Sequence, residues 1–535
     1  MKDDKESFRG LTRRDFLYLS GVGMAGLALA GIPESGHGGE EKPKYGGRLR
    51  MAERYNSAGL DAHRNQEFVD MQNYCLMYSA LTELGPVSQV EIYPMLAKSW
   101  EISRDGREYI FSLREGVKFH HGKELDSGDV KYSIERVMNP ATKSPRAYAF
   151  RWVDSIQVID KYHIKIRLKE PFAPFLTTLT VHTCAIIPAG WEPTGMKPAP
   201  GTGPFVFKSI MPNDSTEYTR FDQYWEVDEK TGDRLPYLDG VHLKKVVDDT
   251  VRLNALRAGD LDFITNPLPN IMAKAVLEKP IPGIFMDYEL VGPNSICFNV
   301  TKPPFDNKKV RQAIAYATNK KQAADAYYWG IGETLNNQAV NSRSRFYIPV
   351  KDRELDLAKA KQLLVEAGYS KGFKTEFFQR PIGYDLSSCE AIMGQLRAIG
   401  IEATMKIVDS APYFAGLRKG EYSVSVYSDS QKLDWDDAFY IRFHSGEIGT
   451  NNFSRYSNKE VDALLEKGRS TVNWKERVPI YKRVIEMIAE DLPQFYLFSQ
   501  IVGIACSDRV KGYRKGFSAR FAWRGGGVKY FWLGK

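Results

Sequence analysis

Along "REYIFSLREGVKF" and "YHIKIRLKEP" apolar and polar residues alternate with a period of two, which puts one face of a strand into a core. "GGRLRMAERY" reads as a first strand, and "APGTGPFVF" as a glycine turn feeding another. "DVKYSIERVM" carries the helical period, with Ser127 and Asp129 as candidate N-terminal caps. The second half of the chain turns helical. "DNKKVRQAIAYATNKKQAADAYY" and "DLAKAKQLLVEAGY" are amphipathic helices, the latter stopped by Gly368. "AIMGQLRAIG" followed by "IEATMKIV" reads as helix then strand, and "NKEVDALLEKGRS" and "WKERVPIYKRVIEMIAED" add helices near the C-terminus. Strands alternating with helices imply an α/β architecture with buried sheets.

The N-terminus breaks this pattern. In "LTRRDFLYLSGVGMAGLALAGIPES", Arg13 and Arg14 precede an apolar stretch over 16–30 that ends in the small-x-small triplet Ala28-Leu29-Ala30. "GVGMAG" formally matches a dinucleotide-binding glycine loop, but no buried strand precedes Gly21 to deliver the backbone to a phosphate. The stretch reads instead as an export signal over residues 1–30 with cleavage before Gly31. Its paired arginines resemble the twin-arginine signal read by a dedicated translocase. An uncleaved anchor fits less well, because the apolar run falls short of the about 20 residues needed to span a bilayer. No cysteine follows it, so a lipid anchor is not expected. Residues 31–43 are rich in Gly, Pro and Glu and read as a disordered spacer.

The chain has 535 residues, too many for one hydrophobic core. Its net charge of +8 is spread without a run of five or six basic residues, which argues against a nucleic-acid partner. Aromatic residues are plentiful, as large cores and extensive binding clefts both require. The five cysteines, Cys75, Cys184, Cys297, Cys389 and Cys506, contain no C-x-x-C. That spacing excludes a zinc ribbon, leaves room for one unassigned disulfide, and predicts buried free thiols for most of them.

Catalytic motifs are scarce. "GYSKG" matches the G-x-S-x-G of a nucleophile elbow, but a helix precedes Ser370 and a strand follows it, the reverse of what the elbow needs. His120 and His121 are adjacent and point to opposite faces of a strand, so they cannot chelate one metal together. The acidic run "LDWDDAF" lacks the alternating ligands and glycine of a calcium loop, and its carboxylates are expected on the surface or along a cleft. No cofactor site is read here.

Several blocks in register resemble the family 5 extracellular solute-binding proteins, the peptide/nickel/oligopeptide-binding components of ABC importers. They are "YPMLAKSWEISRDGREYIFSLREGVKFHHGKELDSGDVKYSIERVM", "GTGPFVFKS", "LPYLDGVHLKKVVDDTVRLNALRAGDLDF", "FNVTKPPFDNKKVRQAIAYATNKKQ", "QLRAIGIEATM" and "DLPQFYLF". The resemblance implies a two-lobed periplasmic-binding-protein fold joined by a two-segment hinge. Lobe I would span 44–294, with an extra subdomain near 85–200, and regain the tail 499–535; lobe II would span 295–498. It further implies a monomer in the periplasm that captures a peptide or peptide-like, anionic solute and delivers it to an inner-membrane permease. An oligosaccharide, a metal chelate, or a secreted hydrolase using Ser370 or a carboxylate pair stay open as alternatives.

The resemblance also singles out ligand positions. In "TEFFQRPIGYD", Arg380 falls where dipeptide-binding members carry the arginine that holds the ligand's carboxylate, beside Gln379. A guanidinium suits this task because its planar fork meets a carboxylate bidentately and stays charged when desolvated. In "GEYSVSVYSDSQKLDWDDAF", the position of the aspartate that pairs with a peptide's ammonium falls on Lys432, beside Gln431. The chain departs from the family there. Asp429 and Asp434 lie near enough that a small loop shift could bring either into play, and Tyr427, Trp435, Tyr55 and Asn56 complete the candidate ligand-binding set. With Lys432 in that place a free ammonium is disfavoured and an acidic ligand group favoured.

Overall fold

Two strands are much longer than the rest, and they organise the molecule. Ile284–Phe298 and Gln494–Ser507 pair antiparallel from Ile284 opposite Ser507 to Cys297 opposite Gln494. They sit at the centre of a ten-stranded mixed sheet. Outward from Gln494–Ser507 lie Phe263–Thr265, Arg48–Glu53, Gly240–Lys245, Ser215–Arg220 and Phe205–Met211. Outward from Ile284–Phe298 lie Val424–Ser428, Phe373–Gln379 and Ile401–Ile407. The computed structural model describes residues 41–54, 59–65, 68–84, 92–430, 432–513 and 527–534. The export signal with Arg13, Arg14, Ala28 and Ala30, most of the spacer, and Tyr55, Asn56 and Gln431 lie outside the described residues.

Each half of the sheet has its own core. Leu49, Met51, Leu243 and Phe263 pack in lobe I, and Ile296, Phe298, Ile314, Val424 and Phe495 in lobe II. The long strands carry the chain between them, and their ladder breaks at the crossing, where the register slips between Leu290 and Pro293. Gly292 has no alternative there, because a Cβ would lie 1.9 Å from the Asp429 carbonyl oxygen. The Gln500 side chain spans the break, donating from Nε2 to the carbonyls of Pro293 (3.1 Å) and Asp429 (2.7 Å).

A second, four-stranded antiparallel sheet is built from the alternating segments: Ala97–Ile102, Glu108–Leu113, His163–Leu168 and Val153–Asp160. Tyr109 pairs with Ile166 and Phe111 with Ile164, and all four side chains are buried. Helix Ser127–Met138 covers this sheet with Val130, Ile134 and Val137. Its cap is Asp126 rather than Ser127 or Asp129. Asp126 accepts from the Gly128 and Asp129 amides while Asp129 returns a bond to the Asp126 amide, a reciprocal capping box.

The long helical stretch after Asn307 folds as two helices, Lys308–Ala317 and Lys320–Tyr328, because Asn319 caps the second one. Leu357–Glu366 ends as expected, with Gly368 at φ +86° just beyond Ala367. Ser370 sits in an exposed turn between that helix and strand Phe373–Gln379, so a nucleophile elbow is absent at this position. Cys184, Cys297, Cys389 and Cys506 are buried free thiols, and Cys75 is half-buried. The acidic run at 434–437 departs from expectation: Asp434 and Asp436 are buried, not superficial. Arg477 holds Asp434 bidentately at 2.6 and 2.9 Å, and Arg469 holds Asp436 at 2.7 and 3.0 Å. A buried carboxylate needs such a partner, and both partners come from helical segments more than 30 residues downstream.

Candidate functional site: a cleft between the two halves of the sheet

Parallel strands deliver their C-terminal ends to one crevice, the usual ligand position of open α/β sheets. Arg48–Glu53 and Phe263–Thr265 end there from lobe I, and Phe373–Gln379 and Val424–Ser428 from lobe II. The crevice is a cleft of about 880 Å³, lined from both sides and floored by Val291 and Gln500 of the crossing strands. Its wall carries the cations Arg54, Arg146, Arg252 and Arg380, the acids Glu53 and Asp429, and a rim of Tyr327, Tyr384, Tyr427 and Phe414.

Arg380 follows the last residue of its strand, where the chain leaves the sheet. Its Nε donates to Asp385 Oδ2 (3.2 Å) and its Nη2 to Ser428 Oγ (2.6 Å), while the guanidinium lies 5.2 Å from the Phe414 ring centre. Nη1 makes no hydrogen bond among the described residues, so one edge of the fork faces the cleft. Asp385 is fully buried and also accepts from Asn294 Nδ2 (2.9 Å) and Ser428 Oγ (3.0 Å). Burial pushes its carboxyl up to about 6, against the pull of Arg380. The pair fixes the fork before any ligand arrives.

Asp429 is wired differently. Both its oxygens are taken by Arg442, at 2.6 and 2.8 Å, and Lys432 Nζ lies 2.7 Å from Oδ2. Burial by itself would raise this carboxyl, but Arg442 and then Lys432 overrule it and hold it well below the usual carboxylate range. One anion between two cations leaves the cluster with a net positive charge.

Arg380, Tyr427 and Asp429 thus line the cleft, with the Tyr427 hydroxyl accepting from Arg442 Nη2 at 3.0 Å. Gln379, Lys432, Asp434 and Trp435 do not line it. Gln379 is buried, and its amide, oriented nitrogen toward carbonyl, meets the Val426 backbone at 2.9 and 2.6 Å where the ladder between the two strands has stopped. Lys432 is turned onto Asp429 and buried. Asp434 belongs to Arg477, and the Trp435 indole stacks between Trp474 and Tyr481 while donating to the Phe346 carbonyl at 2.6 Å. Tyr55, Asn56 and Gln431 are outside the described residues.

Sequence reasoning passed over Glu53, Arg54, Arg146, Arg252, Tyr327 and Tyr384. A signal existed for Glu53 and Arg54, because "RLRMAER" turns charged at the C-terminal end of an apolar strand. Among the described residues no three His, Cys, Asp or Glu side chains gather to hold a metal ion, and no helix is long and apolar enough to cross a membrane.

A two-halved sheet crossed by two strands, with a polar and aromatic cleft at the crossing, defines a binding protein of the periplasmic type. The sequence profile of the bacterial extracellular solute-binding proteins, family 5 Middle, matches residues 91–451, and the chain belongs to that family. Heme-binding protein A of Haemophilus influenzae is 31% identical over 469 residues, covering 82% of this chain and 84% of the relative. Glutathione-binding protein GsiB of Pectobacterium atrosepticum is 30% identical over 442 residues, covering 79% and 83%. Among solved structures, the ABC transporter-associated periplasmic binding protein DppA of Helicobacter pylori, in complex with the peptide STSA, superposes with a TM-score of 0.77 at 27% identity, covering 92% of this chain and 99% of that one.

Proposed function

We propose that this chain is the periplasmic receptor of an ABC importer, that it captures an anionic small or peptide-like solute between its lobes, and that it hands the solute to an inner-membrane permease. The observation that carries this reading is the polarity of the lobe II wall. Arg380 presents an unused guanidinium edge, whereas the acid beside it, Asp429, is already saturated by Arg442 and Lys432. The wall therefore attracts a carboxylate and offers no counter-ion to an ammonium. The relatives' ligands (heme, glutathione and a tetrapeptide) all bear carboxylates. Export follows the twin-arginine signal at Arg13 and Arg14, with the mature chain a monomer. The lobes divide at 44–294 with 499–535, and at 295–498, and closure occurs about the crossing strands.

The test is a thermal-shift and calorimetric screen of acidic solutes and peptides. A ligand at 100 times its Kd adds about 2.7 kcal/mol of stability. Arg380→Ala is expected to weaken every acidic binder, and saturating binder to compact the molecule in small-angle scattering. Binding that survives Arg380→Ala undiminished rules out the proposed anion contact.

A further inference from the structure

The lobe I wall of the same cleft carries a group with no structural employment. Glu53 is the last residue of strand Arg48–Glu53, is only 6% exposed, and faces the cleft. Its backbone carbonyl is used by the Val246 amide, but among the described residues its carboxyl makes no hydrogen bond and no ion pair, and Oε2 is shut off from solvent. The buried acids on the lobe II side are partnered: Asp429 has Arg442 and Lys432, and Asp385 has Arg380, Ser428 and Asn294. Leaving a buried carboxyl unpaired costs free energy with no structural return in the unliganded protein. Such a cost persists where a ligand is to supply the missing partner.

We propose that Glu53 is a ligand-binding residue that takes an ammonium of the solute, so that the solute selected by this cleft is dipolar, with its carboxylate toward Arg380 and its ammonium toward Glu53. The inference rests on the reading above that an anionic group sits at Arg380. It relocates the donor site to the wall opposite Asp429, where Lys432 closes the alternative.

The surroundings of Glu53 fit a donor better than a second anion. Asp70, from helix Phe68–Met77, is fully buried beside it, and together with burial pushes the Glu53 carboxyl well above its ordinary range. Tyr218, from strand Ser215–Arg220, is spoken for by Asn73. The nearby cations are committed elsewhere: Arg54 and Arg252 both bind Asp249, and Lys245, opposite Glu53 in the ladder, reaches toward Asn213. Among the described residues no cation pairs with this acid. Burial and then Asp70 disfavour the ionised form of Glu53 in the unliganded state. An arriving ammonium makes the ionised form favourable, so binding releases a proton.

The test uses the purified protein with glutathione and two free dipeptides, Ala-Glu and Glu-Glu, each against its N-acetyl form, by calorimetry near pH 7 in two buffers of different ionisation enthalpy. The wild type is expected to bind the free-amine probes at least about tenfold more tightly than the acetylated ones, with net proton release. Glu53→Gln, which keeps the shape, is expected to abolish both the preference and the release. Arg380→Ala is expected to weaken free and acetylated probes together and leave their ratio unchanged, so failure of the anion contact is seen separately from failure of the Glu53 assignment. The proposal is overturned if acetylated probes bind as well as free ones, if the preference survives in Glu53→Gln, if no proton is released, or if none of the free-amine probes binds.

Discussion

Asp429 and Glu53 border the same cleft from opposite lobes, and each is about nine-tenths buried. One carboxylate has two cations within 2.7 Å; the other has no partner among the described residues. The same chemical group in the same cavity therefore serves two purposes. Asp429 is internally neutralised and ties Arg442 to the strand end beside the crossing, and the cations around it, Arg442 and Lys432, leave the cluster with a net positive sign. Glu53 is left unsatisfied, which destabilises the empty protein and leaves a valence for something from outside. Arg380 stands between these cases, half committed to Asp385 and Ser428 and half open. The number of unmade bonds, more than the presence of charge, separates scaffold from recognition in this cleft.

The largest effect is expected from removing the satisfied carboxylate. Asp429→Asn leaves Arg442 and Lys432 as uncompensated buried cations, and unfolding in urea is expected to show a loss of about 3–5 kcal/mol. A loss under about 1 kcal/mol would mean that water or loop movement already serves these cations.

Next comes pH dependence at Asp385. Its folded carboxyl titrates at about 6, above its unfolded value, so the folded state binds the proton more tightly. Stability from this group is full below about pH 4 and is lost as pH rises to about 6, a fall of roughly 3 kcal/mol at most. Asp385→Asn is expected to flatten that part of the stability profile relative to the wild type. Parallel profiles of the two proteins between pH 4 and 7 would show that the Arg380 pairing cancels the effect of burial.

Arg380→Ala is expected to cost acidic probes about 1.5–3 kcal/mol, or roughly ten- to a hundredfold in affinity, the range of a charged hydrogen bond. The smallest effect has the opposite sign. Glu53→Gln removes a buried acid whose carboxyl is held above its ordinary range, and is expected to stabilise the empty protein by about 1 kcal/mol at pH 8 and by less at pH 5, because stability tied to a raised carboxyl is lost as pH rises. A destabilised Glu53→Gln at both pH values would place Glu53 with Asp429, among the scaffold residues.

Much of this was visible in the unfolded string. The alternation in "REYIFSL" and "HIKIRL" became paired strands because a period of two admits only one buried face, and local pattern suffices to choose it. The family blocks placed the chain among solute-binding proteins, and the arginine after a strand in "FFQRP" reached the cleft wall. Departures came where a local rule met a competitor. Asp126 outbid Ser127 as a cap because Asp129 at the third helical position could complete the box. Asn319 divided one helical stretch into two.

Only the tertiary structure decided the charges. "DSQKLDWDD" looks like a solvated acidic loop, yet Asp434 and Asp436 are sealed against Arg477 and Arg469, and Lys432 and Asp429 neutralise each other under Arg442. Glu53 and Arg380, 327 positions apart in the numbering, line one cleft only because two long strands carry the chain across the sheet. Helix and strand periods follow from backbone geometry within a few residues, so a sequence states them. Whether a charge is structural or available depends on which distant side chain fills its hydrogen bonds, and that is settled by how the chain folds back on itself.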